Sequence, residues 1–338
     1  MKPLSRVFLL MFSMLCASLP AAADAAVRTL TLGAYTTPRE AYGKAIIPAF
    51  QRYWKQKTGQ DVRFQESYLG SGAQARAIAG GFEADVAALS LEADIDSIAR
   101  AGLIQREWRT GAGKGMVSRS VVVIAVRKGN PKAVHDWDDL RRPGLEVLTP
   151  NVRTSGGAKW NVCALYGAAL RGGTGARKGD AAAAEALLRD VLRNVSVMDK
   201  GARESMINFE KGVGDVAITY ENEVLVGRKL GETYEYVLPR STILIENPAA
   251  VVDKYADKHG NRDLAEAFVA FLATPEAQRA YADYGLRPVD AGVAKEVANR
   301  FPTVRDLFSI RDLGGWAQLD KSLFGPAGAY ERAMAAAR

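Results

Sequence analysis

Short segments with strand-like alternation are followed repeatedly by segments with helical periodicity. Residues 28–35 alternate like a strand, and a helical pattern then begins at Pro38 and ends at Gly59. Strand patterns return at 61–66, where a turn and a helix follow, and at 84–89. Because strands joined through helices pair side by side in the same direction, this order predicts an α/β protein with largely parallel sheets.

Two further extended segments predict crossings between two lobes. Residues 121–126 form a β-branched run, and residues 243–252 form a second run that Asn247 and Pro248 interrupt. Strand–helix units at 145–230 lie between them. A chain that leaves one lobe, builds another and returns predicts a cleft with a two-strand hinge. The expected boundaries are 27–118 plus 245–338 for lobe one and 119–244 for lobe two.

Residues 1–25 predict a signal peptide for export. A positively charged start is followed by the almost entirely apolar residues 7–19 and then by small residues. The apolar run is shorter than the about 20 residues that a membrane-spanning helix needs. We therefore expect cleavage after Ala23 or Ala25, no lipid on Cys16, and a soluble periplasmic protein.

The charge distribution argues against nucleic-acid binding, and the cysteine content argues against an internal disulfide. The net charge is +7, but the basic residues are scattered among acidic ones without a basic stripe, so nucleic-acid binding is not expected. Cys163 is the one cysteine after the predicted signal, which excludes an internal disulfide and favours a buried thiol. The exported chain must therefore fold on its hydrophobic core alone.

Five predicted helices begin directly after a strand, at turns of small or polar residues. Helix N-termini expose unpaired N–H groups and the positive end of the helix dipole, so they attract anions. In open α/β sheets such turns lie beyond the carboxyl ends of the strands, where ligands bind. A single turn of this kind usually reflects only the local needs of the backbone. Five such turns, divided between two lobes, predict an anion-binding site. These turns are 35–37, 70–72, 154–157, 201–203 and 219–221.

Sequence motifs follow one another in a fixed order along nearly the whole chain after the signal. They include Gly70-Ser71-Gly72, Glu83-Ala84-Asp85-Val86, Thr154-Ser155-Gly156-Gly157, Glu221-Asn222-Glu223 and Gly314-Gly315-Trp316. In these motifs the chain resembles the periplasmic sulfate-binding family of ATP-driven importers. The resemblance implies a type II two-lobe periplasmic binding protein fold. It also implies sulfate or thiosulfate as ligand, delivery to the membrane permease of an ABC importer, a monomer, and no cofactor.

The resemblance further implies a dry site in which uncharged groups donate to the anion. Thr36 stands where the family has an aspartate, and Tyr220 stands where it has a tryptophan. A phenol donates like an indole but also accepts, which leaves phosphate or molybdate as alternative ligands. The candidate donors are the backbone N–H groups of Thr36, Ser71, Gly156, Gly157 and Ala202, the Ser155 hydroxyl and the Tyr220 phenol.

An enzyme on the same fold is the alternative from another class. Ser71 and Ser155 lie in glycine-rich turns, but a Ser-His-acid triad needs a histidine. His135 and His259 both lie in polar stretches that favour solvent exposure. No His/Cys cluster has the spacing of metal ligands, so no metal is expected.

Three charged residues lie near the candidate donors. Arg203 either contacts the ligand or pairs with an acid such as Asp199. Glu221 and Glu223 are interpreted as a helix-start carboxylate and a solvated neighbour rather than as an acid–base pair. Since no candidate donor titrates near neutrality, binding is expected to be nearly independent of pH between about 5 and 8.

Overall fold

The computed structural model describes residues 27–111 and 113–338, so the predicted signal and its cleavage sites lie outside the described residues. One curled sheet runs through the described chain, with strands in the order β2-β1-β3-β9-β4-β7-β5-β6, while β10 pairs with β9 and β8 with β4. The strands are β1 (Arg28–Tyr35), β2 (Val62–Leu69), β3 (Val86–Ala88), β4 (Met116–Val126), β5 (Val147–Pro150), β6 (Val195–Asp199), β7 (Val216–Tyr220), β8 (Glu235–Val237), β9 (Ser241–Val251) and β10 (Asp306–Phe308).

Helices connect the strands as the sequence predicts. The first begins after Pro38, passes through a π-helical turn at Tyr42–Ile46, and ends at Gly59, which has a left-handed φ of 75°. The α-helices are α1 (Arg39–Ala41), α2 (Ile47–Thr58), α3 (Ser71–Ala79), α4 (Glu92–Arg100), α5 (Gly156–Leu170), α6 (Ala181–Arg193), α7 (Ala202–Glu210), α8 (Glu221–Lys229), α9 (Asp253–Lys258), α10 (Arg262–Leu272), α11 (Pro275–Asp283), α12 (Ala291–Glu296), α13 (Trp316–Ser322) and α14 (Ala329–Ala337). Short 3₁₀ helices lie at Trp137–Arg141, Ala298–Arg300 and Ile310–Leu313.

Strands β4 and β9 cross the middle of the sheet. The C-terminal part of β9 pairs with β3, its middle pairs with β4, and the second half of β4 pairs with β7. The pairs β1–β2, β1–β3, β5–β6 and β5–β7 are parallel, as predicted, whereas β3–β9, β9–β4 and β4–β7 are antiparallel. The largely parallel prediction is therefore wrong at the crossing strands, because β4 and β9 run in opposite directions.

Asn247 and Pro248 lie inside β9 and do not interrupt it, contrary to the sequence expectation. Proline has no N–H to donate, and the β4–β9 register shifts beside its partner Met116. The Pro248 carbonyl still accepts a 3.0 Å hydrogen bond from the Leu89 N–H. The irregular pairing lets the strand continue through the proline.

Two large apolar clusters lie at opposite ends of the sheet. Phe50, Phe268 and Tyr281 belong to the first, which packs on β1. The second contains Trp160 and Leu188 and also receives the C-terminal apolar residues Trp316, Leu319 and Tyr330. The expected boundaries placed all of 245–338 in lobe one, but α13 and α14 pack with the second cluster, where the Trp160 and Trp316 rings lie 4.9 Å apart.

Cys163 is buried in the second cluster, as predicted, and burial raises the pKa of its thiol. Within the part of the chain that the structure describes, no helix has the length and apolar character needed to cross a membrane.

Candidate functional site

The five strand-to-helix turns meet where the two halves of the sheet face each other. Gly70 precedes α3, and a methyl group added to it would lie 2.6 Å from the Thr154 carbonyl oxygen and 2.7 Å from that of Lys200. The Ala73 N–H donates to the same Thr154 oxygen at 3.1 Å. The turn from the first half of the sheet is thus in direct contact with two turns from the second.

The remaining candidate donors lie around Gly157. A methyl group on Gly157 would lie 2.8 Å from the Tyr220 ring, 3.2 Å from the Ala202 methyl and 3.3 Å from Ser155 Oγ. A methyl group on Gly201, the residue before α7, would lie 3.4 Å from Thr36 Oγ1. At Gly157 only glycine permits this close approach, and the structure brings the predicted residues together in one buried cluster.

Most helix N-termini in this cluster have no side-chain hydrogen bond that caps their N–H groups. The residues before α3, α7 and α8 are Gly70, Gly201 and Tyr220, and none of them caps its helix with a side-chain hydrogen bond. At α5 the Ser155 hydroxyl accepts a 3.3 Å hydrogen bond from Ala158 N–H, which leaves its own proton free to donate. The cluster therefore holds several helix N-terminal donors, and α3, α7 and α8 have no side-chain cap.

Tyr220 is fully buried and its hydroxyl lies 2.6 Å from Ser90 Oγ. The sequence predicts this hydroxyl as a donor to the ligand, and its hydrogen-bond partner in the structure is Ser90. Burial raises the pKa of Tyr220, so the phenol keeps its proton throughout the neutral range.

Sequence reasoning missed Ser90, which connects several elements of the site. Its N–H donates to Ser71 Oγ at 2.9 Å, and its carbonyl accepts from Trp160 Nε1 and from Asn247 Nδ2, each at 3.1 Å. Ser71 Oγ in turn donates to Asp94. The available signal was its position directly after the strand pattern at 84–89, the same place that the recognised turns occupy.

Arg203 pairs with acids, one of the two alternatives that the sequence left open. Its guanidinium donates to Glu40 Oε2 at 2.7 Å and lies 3.2 Å from Glu223 Oε2. Asp199, the partner suggested by the sequence, instead accepts from Ser205 and Asn208. The Arg203 guanidinium is therefore already engaged by two carboxylates.

Glu221 and Glu223 are both fully buried, so the interpretation of a solvated carboxylate is wrong. Arg287 donates to the two Glu221 oxygens at 2.7 and 2.9 Å, while Glu223 faces Arg203. Burial raises the pKa of Glu223 to about 7, and the Arg203 charge opposes part of this rise. A group that titrates near neutrality thus lies beside the candidate donors, contrary to the sequence expectation.

Cavities of about 870, 420 and 270 Å³ lie elsewhere in the described chain, and none of them is lined by a candidate donor. The donor cluster is closed and tightly packed, as the short distances at Gly70 and Gly157 require.

Comparison with known proteins places this chain in a family. The model of the bacterial extracellular solute-binding proteins matches residues 30–287. This chain belongs to the bacterial extracellular solute-binding proteins. It is 44% identical to a sulfate-binding protein of Synechococcus elongatus, over 91% of this chain and 87% of that one. It is 36% identical to a thiosulfate-binding protein of Pseudomonas aeruginosa, over 93% of this chain and 94% of that one.

The fold agrees with this family. The structure of the sulfate-binding protein SubI from Mycobacterium tuberculosis matches with a TM-score of 0.81 and 39% identity, covering 88% of this chain and all of that one. The resemblance to the sulfate-binding family and the predicted periplasmic binding protein fold are thereby confirmed.

The named relatives of this solute-binding protein are binding proteins, not enzymes. His135 and His259 are both exposed, as expected, and His259 pairs with Asp85 at 2.7 Å and with Glu83 at 3.0 Å. Neither histidine contacts Ser71 or Ser155. Among residues 27–111 and 113–338, no group of three or more His, Cys, Asp or Glu side chains is placed to hold a metal ion.

Proposed function

We propose that this chain is a periplasmic protein that captures sulfate, and also thiosulfate, and delivers it to the permease of an ABC importer without catalysing a reaction. The observation that carries the proposal is the meeting of helix N-termini at Ser71, Gly156 and Ala202, two of them without a side-chain cap. Relatives named sulfate-binding and thiosulfate-binding proteins support the ligand class.

The proposed donors are the N–H groups of Thr36, Ser71, Gly156, Gly157 and Ala202 with the Ser155 and Tyr220 hydroxyls. A desolvated dianion loses its hydration shell, and preorganised N–H dipoles replace that shell without a counter-cation. Because Arg203 is paired with Glu40 and Glu223, we assign it to holding the α7 turn rather than to neutralising the ligand.

We propose two lobes joined by β4 and β9, with 27–118 and 119–244 as predicted. The segment after β9 is divided, since apolar residues within 256–286 belong to the first cluster and those of α13 and α14 to the second. The contact of Gly70 with Thr154 and Lys200 is then the closed contact between the lobes.

Calorimetry of the dialysed protein against sulfate, thiosulfate, phosphate and molybdate tests the proposal. Sulfate is expected to bind, and Ser155→Ala is expected to weaken it about 5- to 150-fold, because one ligand oxygen loses its donor. Ser322→Ala, which removes an exposed hydroxyl bonded to the Gln318 carbonyl, is the matched control. Absence of binding to every oxyanion would refute the proposal, and hydrolase activity abolished by Ser155→Ala would favour an enzyme.

A second prediction concerns pH. Sulfate affinity is expected to fall about 3- to 10-fold between about pH 6 and 8, because ionised Glu223 repels the dianion and its pKa lies at about 7. The sign follows from linkage, since the ligand favours the protonated carboxyl that is present below this pKa. The charged groups facing Glu223 are Arg203, Glu40 and Glu210, and the titratable phenols near it are Tyr35, Tyr220 and Tyr234.

Titrations at fixed ionic strength with wild type and Glu223→Gln measure this effect. The glutamine variant has no titrating group at that position, so its affinity is expected to be flat over the same range. A flat wild-type profile would contradict the role assigned to Glu223. An equal slope in both proteins would place the titrating group elsewhere.

A further inference from the structure

The Ser90–Tyr220 contact joins two hydroxyl groups in a fully buried place. The oxygens lie 2.6 Å apart, and either atom can be the donor. Both residues are fully buried, so water does not compete for this hydrogen bond. Each hydroxyl carries one proton and two lone pairs, so the direction of the bond determines what the phenol offers to a third group.

Two arrangements of protons are available. If Ser90 donates to Tyr220, the phenol proton is free to donate to an anion oxygen. If Tyr220 donates to Ser90, the phenol oxygen keeps a lone pair that accepts from an O–H. The Tyr220 ring lies against Gly157, since a methyl group added to Gly157 would be 2.8 Å from the ring. The Ser90–Tyr220 pair therefore lies beside the donor turns.

We propose that the Ser90–Tyr220 pair lets this site bind a monoprotonated tetrahedral dianion, such as hydrogen phosphate, as well as sulfate. This inference rests on the proposed function, because it assumes that the donor cluster is the oxyanion site. In a site made of donors alone, the proton of hydrogen phosphate faces the proton of a donor group. Because the site is buried and offers no acceptor, this mismatch lowers the affinity for hydrogen phosphate. A pair of hydroxyl groups whose hydrogen bond can run in either direction supplies the missing acceptor.

Ser90 is therefore a specificity-determining residue rather than only a structural one. Without its side chain, a phenol that accepts from hydrogen phosphate has no acceptor for its own proton. A phenol that donates to sulfate needs no such acceptor. Removing the Ser90 hydroxyl thus weakens one ligand selectively, while removing the Tyr220 hydroxyl weakens both.

The test compares sulfate with inorganic phosphate at about pH 8, where most phosphate is the hydrogen phosphate dianion with the charge and shape of sulfate. Calorimetry is carried out on wild type, Ser90→Ala, Tyr220→Phe and the control Ser322→Ala. Wild type is expected to bind phosphate within about 100-fold of sulfate. Ser90→Ala is expected to weaken phosphate about 10-fold and sulfate less than about 3-fold, whereas Tyr220→Phe weakens both about 5- to 150-fold.

The outcomes separate this inference from the proposed function. Sulfate binding with phosphate more than about 1,000-fold weaker would overturn the inference and leave the proposed function standing. An equal loss of both ligands in Ser90→Ala would assign the serine to packing and also overturn it. Binding of neither anion by the folded wild type would refute the proposed function itself.

Discussion

Gly70→Ala is expected to lower the affinity for sulfate at least about 100-fold while the protein stays folded. The added methyl group would lie 2.6 Å from the Thr154 carbonyl oxygen and 2.7 Å from that of Lys200. Both atoms are backbone atoms in turns on the other side of the proposed cleft, so neither can move aside like a flexible side chain. The turns must separate instead, which pulls the donors of α5 and α7 away from those of α3.

Gly72→Ala is the matched control for this prediction. It adds the same methyl group two residues further on, inside α3, where the nearest atoms lie 3.5 Å away in ordinary contact. We expect near wild-type sulfate affinity in this variant, and alanine also favours the helix by about 1 kcal/mol. Calorimetry gives the affinities, and thermal unfolding shows whether each variant is folded. Equal affinity in the two variants would show that the Gly70 contact does not control closure.

The features that the sequence predicted are local ones. A strand pattern followed by glycine and small residues marks a strand-to-helix turn, and the structure contains the turns at Ser71, Gly156 and Ala202. Parallel strands place such turns at one edge of a sheet whatever the rest of the chain does. The local pattern therefore predicts the candidate donors without their tertiary partners.

The features that it missed depend on residues far apart in the chain. Ser90 meets Tyr220 across 130 positions, and no local pattern records that contact. Glu223 was expected in solvent because charged residues near a helix start are usually exposed, but its partner Arg203 lies on another helix. The packing of α14 on α6 likewise depends on tertiary contacts, which periodicity alone does not predict.

Arg287→Ala is expected to lower the free energy of unfolding by about 3–5 kcal/mol. Arg287 donates to both oxygens of Glu221, whose side chain is fully buried, and its backbone pairs with Arg119 of β4. Removing the guanidinium leaves a buried carboxylate whose remaining hydrogen bond is the 3.4 Å contact with the Tyr236 hydroxyl. The cost comes from this unpaired charge and not from the loss of an exposed ion pair.

Chemical denaturation of three variants separates the cost of an unpaired buried charge from the cost of losing an exposed ion pair. Arg279→Ala breaks the ion pair with Glu296, whose side chains are 52% and 49% exposed, and is expected to cost less than about 1 kcal/mol. The double variant Arg287→Ala with Glu221→Gln removes the stranded charge and is expected to recover part of the loss. Equal destabilisation by Arg287→Ala and Arg279→Ala would show that Glu221 finds water or another partner. A double variant no more stable than Arg287→Ala would assign the loss to the packing of the arginine side chain instead.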